Sequence, residues 1–372
     1  MSPSARLLWL GIGIATAAAQ AVIGQTPPTL TGQSLLGQTP PALPGEWYMG
    51  LTITGEAGKV YRIEFTTDLS QPIGWTLLTL LPLPATPYLW VDTSSPATAL
   101  RFYRAAVPSA DPLPNLVFIP PGNFTMGSPL SEAERRSDET PHEVTLTGGF
   151  WMGKYEVTQG EYLEVMGSNP SKFRNGVGAF SDGIGGVVTN ELRHPVEQVT
   201  WFDATNYCGK LTQREVAAGR IPMGWGYRLP AEAEWEYASR GGKTDAFDYG
   251  PALMQGMANF NARYEYDAID GTQHKESNSW PGETREMGSY TPNAYGLWDM
   301  HGNVWEWCQD WYGAYPGSVT DPEGPATGSL RLSRGGSWGY IGGSCRSAYR
   351  YYLSPIRRIY DIGFRVVLAP GQ

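Results

Sequence analysis

Residues Gly296 to Trp311 constrain this chain more than any other stretch. They read Gly-Leu-Trp-Asp-Met-His-Gly-Asn-Val-Trp-Glu-Trp-Cys-Gln-Asp-Trp. Trp298, Trp305, Trp307 and Trp311 are too apolar for an open loop. Asp299, Glu306 and Asp310 are too charged for an unpaired core, because a buried carboxylate needs a partner. Two resolutions are open. In one, carboxylate and backbone oxygens turn inward around a hard cation such as calcium, which takes oxygen cages of this kind. In the other, the stretch is a tight turn whose acids are solvated or paired with arginine.

The rest of the composition fits a large aromatic core with long turns. The chain has 372 residues, enough for one large or two medium domains. Its 46 glycines and 30 prolines come with 14 tryptophans and 21 tyrosines. That much aromatic surface can bury a core and argues against disorder beyond the N-terminal linker. A formal net charge of -9 argues against nucleic acid as the main partner.

Residues 1–21 read as a signal peptide. Arg6 supplies positive charge, Leu7 to Ala18 is a short apolar run, and Ala19-Gln20-Ala21 offers a small-x-small cleavage site. The expected location is secreted or periplasmic, with a membrane role only if the signal is retained. Export permits disulfides, but Cys208, Cys308 and Cys345 are an odd number.

Residues 22–45, rich in Pro, Gly, Gln and Thr, read as a flexible linker. Residues 46–107 carry period-two alternation, with Val60, Arg62, Glu64 and Thr66 opposite Tyr61, Ile63 and Phe65. Short strands between Gly/Pro turns predict a small β-sandwich-like domain. After a linker over 108–114, a second domain runs over 115–370. Glu132 to Glu143 reads there as a charged loop. Thr158 with Glu161 is a capping box, and Thr200 with Asp203 repeats the device. The second helix carries Ala204, Tyr207, Cys208 and Leu211 as an apolar stripe, so Cys208 is expected to be a buried, inert thiol. Pro230, the acids Glu232, Glu234 and Glu236, and Gly241-Gly242 mark a third helix. Ile362 to Leu368 reads as a buried strand.

A series of motifs then falls in one order. Asn115-Leu-Val-Phe-Ile-Pro-Pro-Gly-Asn-Phe-Thr-Met-Gly-Ser128 opens the series, followed by Tyr155-Glu-Val-Thr-Gln159, His194-Pro-Val-Glu-Gln-Val-Thr-Trp201 and Arg228-Leu-Pro-Ala-Glu-Ala-Glu-Trp-Glu-Tyr-Ala238. Asn293 to Trp307 comes next, and Arg334-Gly-Gly-Ser-Trp338 with Gly363-Phe-Arg365 closes the series. This pattern resembles the sulfatase-modifying factor family, whose type member is the formylglycine-generating enzyme. The resemblance implies an irregular α+β fold, C-type-lectin-like, over most of the mature chain.

It also implies calcium, held by the Asp299 and Glu306 side chains and the Gly302 and Val304 carbonyls, with a second site at Asn259 and Phe260. The implied activity is oxidation of a cysteine in an exported protein substrate to formylglycine. The family's copper(I) sits between two thiolates, and soft sulfur ligands suit that ion. Here the two positions hold Tyr340 and Cys345, and a phenol with a pKa near ~10 is a poor replacement. Ser337 and Trp305 match neighbours of that site. With one thiol missing, the copper site is incomplete unless Cys308 approaches. Cys345, between Gly342-Gly343-Ser344 and Arg346, is expected to be exposed, acidified by arginine and alkylated ahead of Cys208.

The histidine iron centre of related branches is not expected, because His142, His194, His274 and His301 are widely separated. The alternative function is a non-catalytic, calcium-stabilised lectin-like binding module. Its recognition face would comprise Trp338, Tyr340, Tyr349, Arg350, Tyr351 and Tyr352, residues that equally suit an aromatic core.

Overall fold

The computed structural model describes residues 29–36, 47–68, 75–92, 101–106, 113–174, 190–275 and 282–371. The signal-peptide segment 1–21 lies outside them. The chain divides into two compact units with the main boundary between Pro112 and Leu113.

The first unit contains two three-stranded antiparallel sheets. Trp47–Thr54 lies between Thr29–Leu36 and Tyr88–Asp92, and Val60–Thr66 lies between Thr76–Pro82 and Phe102–Ala106. Leu51 and Ile53 from one sheet share a core with Tyr61, Ile63 and Tyr103 from the other. Two details differ from the sequence expectation. Thr29–Leu36 falls in the expected linker, yet it pairs with Trp47–Thr54 from Thr29 opposite Thr54 to Leu36 opposite Trp47. Its Thr and Leu residues suit a strand, and the pairing satisfies its backbone. The alternation in Val60–Thr66 is also interrupted, beside a ladder irregularity between Ile63 and Glu64. The extra residue is Leu78 of the partner strand, and pairing with Phe102–Ala106 stays regular, so Glu64 keeps the face of Arg62 and of Arg104 opposite it. Glu64 is buried because those two arginines cover it.

The second unit is α+β, with short sheets and three helices. α1 (Gln159–Met166) begins with the expected capping box: Thr158 Oγ1 accepts from the Glu161 N–H, and Glu161 accepts from the Thr158 N–H. α2 (Trp201–Ala217) starts on the equivalent Thr200–Asp203 exchange. The predicted stripe of Ala204, Tyr207, Cys208 and Leu211 is buried. Tyr207 stacks on Tyr162 of α1 at 5.6 Å and meets Phe364 edge-on.

α3 (Glu232–Arg240) is buried at every position, including its acids. Its N-cap is Ala231, whose N–H donates to Glu234, so Pro230 stands just ahead of the helix. Trp235 is fully buried at the centre of the main core with Leu297, Met300, Cys308, Leu332 and Val367.

Two four-stranded sheets frame that core. In one, the order is Trp225–Arg228, Val367–Pro370, Phe150–Gly153, Leu116–Ile119. In the other, it is Tyr351–Leu353, Arg331–Arg334, Trp305–Trp311, Ile362–Gly363, the last pair parallel. The expected strand Ile362 to Leu368 is therefore two strands in two sheets, Ile362–Gly363 and Val367–Pro370. The break frees Arg365 to point inward. Among the described residues no helix is long and apolar enough to cross a membrane.

Candidate functional site

Trp305–Trp311 carries the residues that organise the second unit. Glu306 is completely buried, and both its oxygens are taken. Arg365 donates to Oε1 at 2.6 Å and to Oε2 at 2.7 Å, and Trp235 Nε1 donates to Oε2 at 2.7 Å. Arg365 also donates to the carbonyls of Gly153 and Trp298, so one guanidinium joins four segments. Of the two resolutions for the Trp-rich stretch, Glu306 takes the arginine one. It is the counterion of Arg365.

The acids beside it are less well matched. Asp299, in the left-handed region at φ 58°, accepts from the Gly288 N–H at 2.9 Å. Burial raises its carboxyl pKa, with Glu306 adding to the shift and the Gly288 N–H and Arg365 opposing it. Glu156 is pushed well above the ordinary carboxylate range by burial and by the charges of Asp299 and Glu306. Its Oε2 accepts from Asn303, while Oε1 is buried without a hydrogen-bond donor. Three acids thus share Arg365.

The two expected calcium positions adjoin each other here. The Asn303 N–H donates to the Asn259 carbonyl at 2.7 Å, and Asn259 Nδ2 donates to Asn303 Oδ1 at 3.0 Å. Gly302, at φ 95°, lies so close that a Cβ there would strike the Asn259 carbonyl. Asn259 Oδ1 is buried with no donor. Phe260 is buried, and its carbonyl accepts from Ala262. Excess buried negative charge and two orphaned oxygens suit a hard cation. Among the described residues no three His, Cys, Asp or Glu side chains form a metal site. An ion here would therefore draw on amide and carbonyl oxygens, including Gly302 and Val304.

The residues expected around the thiol pair come together. Trp305 meets Tyr340 edge-on at 5.1 Å and stacks on Tyr351 at 4.7 Å. The Tyr340 hydroxyl is 3.2 Å from that of Tyr351, and its N–H donates to the Ser337 carbonyl at 3.1 Å. Ser337 Oγ donates to Asp361 at 3.3 Å. Burial raises the Asp361 carboxyl to about 6, opposed by the Ser337 hydroxyl. The Trp305 Nε1 is buried and unbonded.

Cys345 corrects the expectation of an exposed, acidified thiol. It is fully buried in a satellite core with Phe247, Phe260 and Tyr266. Its Sγ donates to the Ile341 carbonyl at 3.7 Å, and burial pushes the thiol up to about 12. A Cβ at Gly336 would collide with that sulfur. Arg346 points away, onto Glu132 and Glu139. Cys308 belongs to the main core instead, where burial pushes its thiol pKa well up, and all three cysteines are free of disulfides. Cys208 is the buried thiol expected, likewise raised to about 12. The residues at the copper position do not fit a two-thiolate site.

Sequence reasoning missed the ion pairs under this region. Glu232 takes a bidentate contact from Arg350, Glu234 pairs with Arg228, and Glu236 pairs with both Arg334 and Arg240. The supposed charged loop Glu132 to Glu143 also sends Glu132 and Glu139 inward to Arg346. Alternate glutamates on a helix rich in apolar residues were the available signal. Arg350 and Trp338 are consequently buried, not exposed on a recognition face, whereas Tyr340, Tyr349, Tyr351 and Tyr352 are half-buried. His301 is buried between Asp248 and the Cys345 carbonyl.

With this geometry in place, the family is defined by comparison. Residues 103–370 match the model of the sulfatase-modifying factor enzyme 1-like domain, and the chain belongs to that family. The formylglycine-generating enzyme of Streptomyces coelicolor is 30% identical over 325 residues, covering 74% of this chain and 95% of that protein. A Chlamydia pneumoniae protein named serine/threonine-protein kinase pkn1 is 33% identical over 283 residues. The match covers 71% of this chain but only 40% of that relative's length. Among solved structures, Treponema denticola variable protein 1 superposes with a TM-score of 0.52 at 28% identity, over 73% of this chain and 97% of its own.

Proposed function

We propose that this chain is an exported, formylglycine-generating enzyme-like protein that engages a cysteine-bearing segment of an exported protein. The family reaction oxidises such a cysteine to formylglycine. The observation that supports this reading is one packed cluster, here called the shelf: Trp305 meets Tyr340, Tyr340 bonds back to Ser337, and the Ser337 N–H reaches the buried Cys345 sulfur. Trp305 and Tyr340 offer an aromatic wall, Ser337 and Asp361 a hydrogen-bonding edge. Calcium, in this proposal, stabilises the adjoining turn through Asp299, Asn259 and nearby carbonyls. Export is proposed from the charge, apolar run and small-residue site of residues 1–21.

Copper(I) would supply oxygen chemistry in the family, but Tyr340 replaces one sulfur ligand and no step is assigned through it here. A second reading, a calcium-stabilised binding module without turnover, rests on that departure alone. Copper(I) titration under reducing, oxygen-free conditions, then oxygen uptake with a cysteine peptide, separates the two. Wild type is expected to bind copper weakly, and Tyr340→Cys at least ~10-fold more tightly, because a second soft ligand completes the pair. A wild type that binds copper as tightly as the mutant would refute the assigned role of Tyr340. A cysteine peptide held no better than its serine counterpart would refute the shelf as a docking site.

A further inference from the structure

A separate cavity of about 480 Å³ opens beside the N-terminal end of α3, beneath residues 313–325. Its size is that of a small-molecule pocket. Met126, Trp311, Val319, Pro322 and Pro325 give it apolar walls. Its floor is polar. Asp310 is 4% exposed, and its Oδ2 accepts the Glu232 N–H at 2.8 Å. Its Oδ1 lies against Gly324 in the covering loop. Among the described residues Asp310 has no guanidinium or ammonium partner within ion-pair distance.

The charge on the lining decides what the cavity takes. Glu232, Asp310, Asp321 and Glu323 are acidic. Arg350 is the one basic side chain, and it is committed to Glu232 through two hydrogen bonds and to the Asp138 and Gly313 carbonyls. Asp321 is likewise held, by Thr147. His142 also lines the cavity. Its Nδ1 sits 3.0 Å from the Thr140 carbonyl, which can only accept, so Nδ1 carries a proton and donates there. Surplus acceptors and net negative charge inside apolar walls disfavour anions and favour an organic cation.

We propose that this cavity binds a primary alkylamine, its ammonium on Asp310 and its alkyl chain along the proline- and tryptophan-lined wall. Glu323, exposed at the rim, attracts the cation electrostatically. This site is distinct in residues from the Trp305–Cys345 shelf, and its test does not depend on family activity.

The test is calorimetric titration of the full chain with n-hexylamine, using 1-hexanol and hexanoate as neutral and anionic matches. Hexylamine is expected to bind at least ~10-fold more tightly than either, the worth of a charged hydrogen bond. Asp310→Asn should remove that advantage. Because Asp310 also caps α3, Glu323→Gln provides a second variant that leaves the core untouched, with an expected loss of about 3-fold. Hexanol binding as well as hexylamine would overturn the proposal, as would both variants binding hexylamine like wild type.

Discussion

Two buried ionic clusters in the second unit behave as opposites. Around α3, Glu232, Glu234 and Glu236 face Arg350, Arg228, Arg334 and Arg240, so each acid has a guanidinium. Around Arg365, the acids Glu156, Asp299 and Glu306 share one guanidinium, and burial raises the pKa of Glu156 and Asp299. A matched set can hold its charge without water. An unmatched set must take up protons or a cation. The first cluster reads as framework, and the second holds more buried acid than base.

Breaking the matched set should have the largest effect. Arg334→Met leaves Glu236 and Glu232 short of a partner in the core, and a cost of about 3–5 kcal/mol is expected in denaturant unfolding. A loss below about 1 kcal/mol would mean that water reaches the cluster. Next comes the unmatched set. Calcium at 100 times its Kd should stabilise the second unit by about 2.7 kcal/mol, and chelation should lower Tm accordingly. Asp299→Ala should abolish the response to chelator. A Tm that ignores both chelator and calcium would remove the ion from the account.

A further effect, read in the pH profile, concerns an acid outside both clusters. Glu197 has the Phe173 backbone N–H for a partner, and burial raises its carboxyl to about 8. A raised folded-state pKa means that the native state binds the extra proton. The Glu197 contribution should therefore be fully present below about 4.5 and lost as pH rises towards about 8. Glu197→Gln should flatten this part of the stability profile. An unchanged slope would place the titration elsewhere.

The two clusters also differ in how far sequence could reveal them. Capping boxes at Thr158 and Thr200 were legible because both partners sit three residues apart. The α+β family fold was legible from the ordered motifs. The ion pairs were not, since Arg350 reaches Glu232 across 118 positions and Arg346 reaches Glu132 across 214. Burial of Cys345 was hidden for a related reason. Gly342-Gly343-Ser344 suggests an open loop, but Tyr266 and Phe247 come from segments far upstream to cover it. That Trp305, Ser337 and Tyr340 pack together could be expected from the motifs, though not the burial of the thiol beside them.

Val367–Pro370 lies between Trp225–Arg228 and Phe150–Gly153, an inner strand supplied by the last part of the domain. Both neighbours wait for it. During residue-by-residue emergence, this sheet stays open until position 370 arrives, and every pairing it makes closes a long loop. Native closure is therefore a late, whole-domain event, and a chain cut before Val367 would keep two unsatisfied strand edges, liable to associate with other chains.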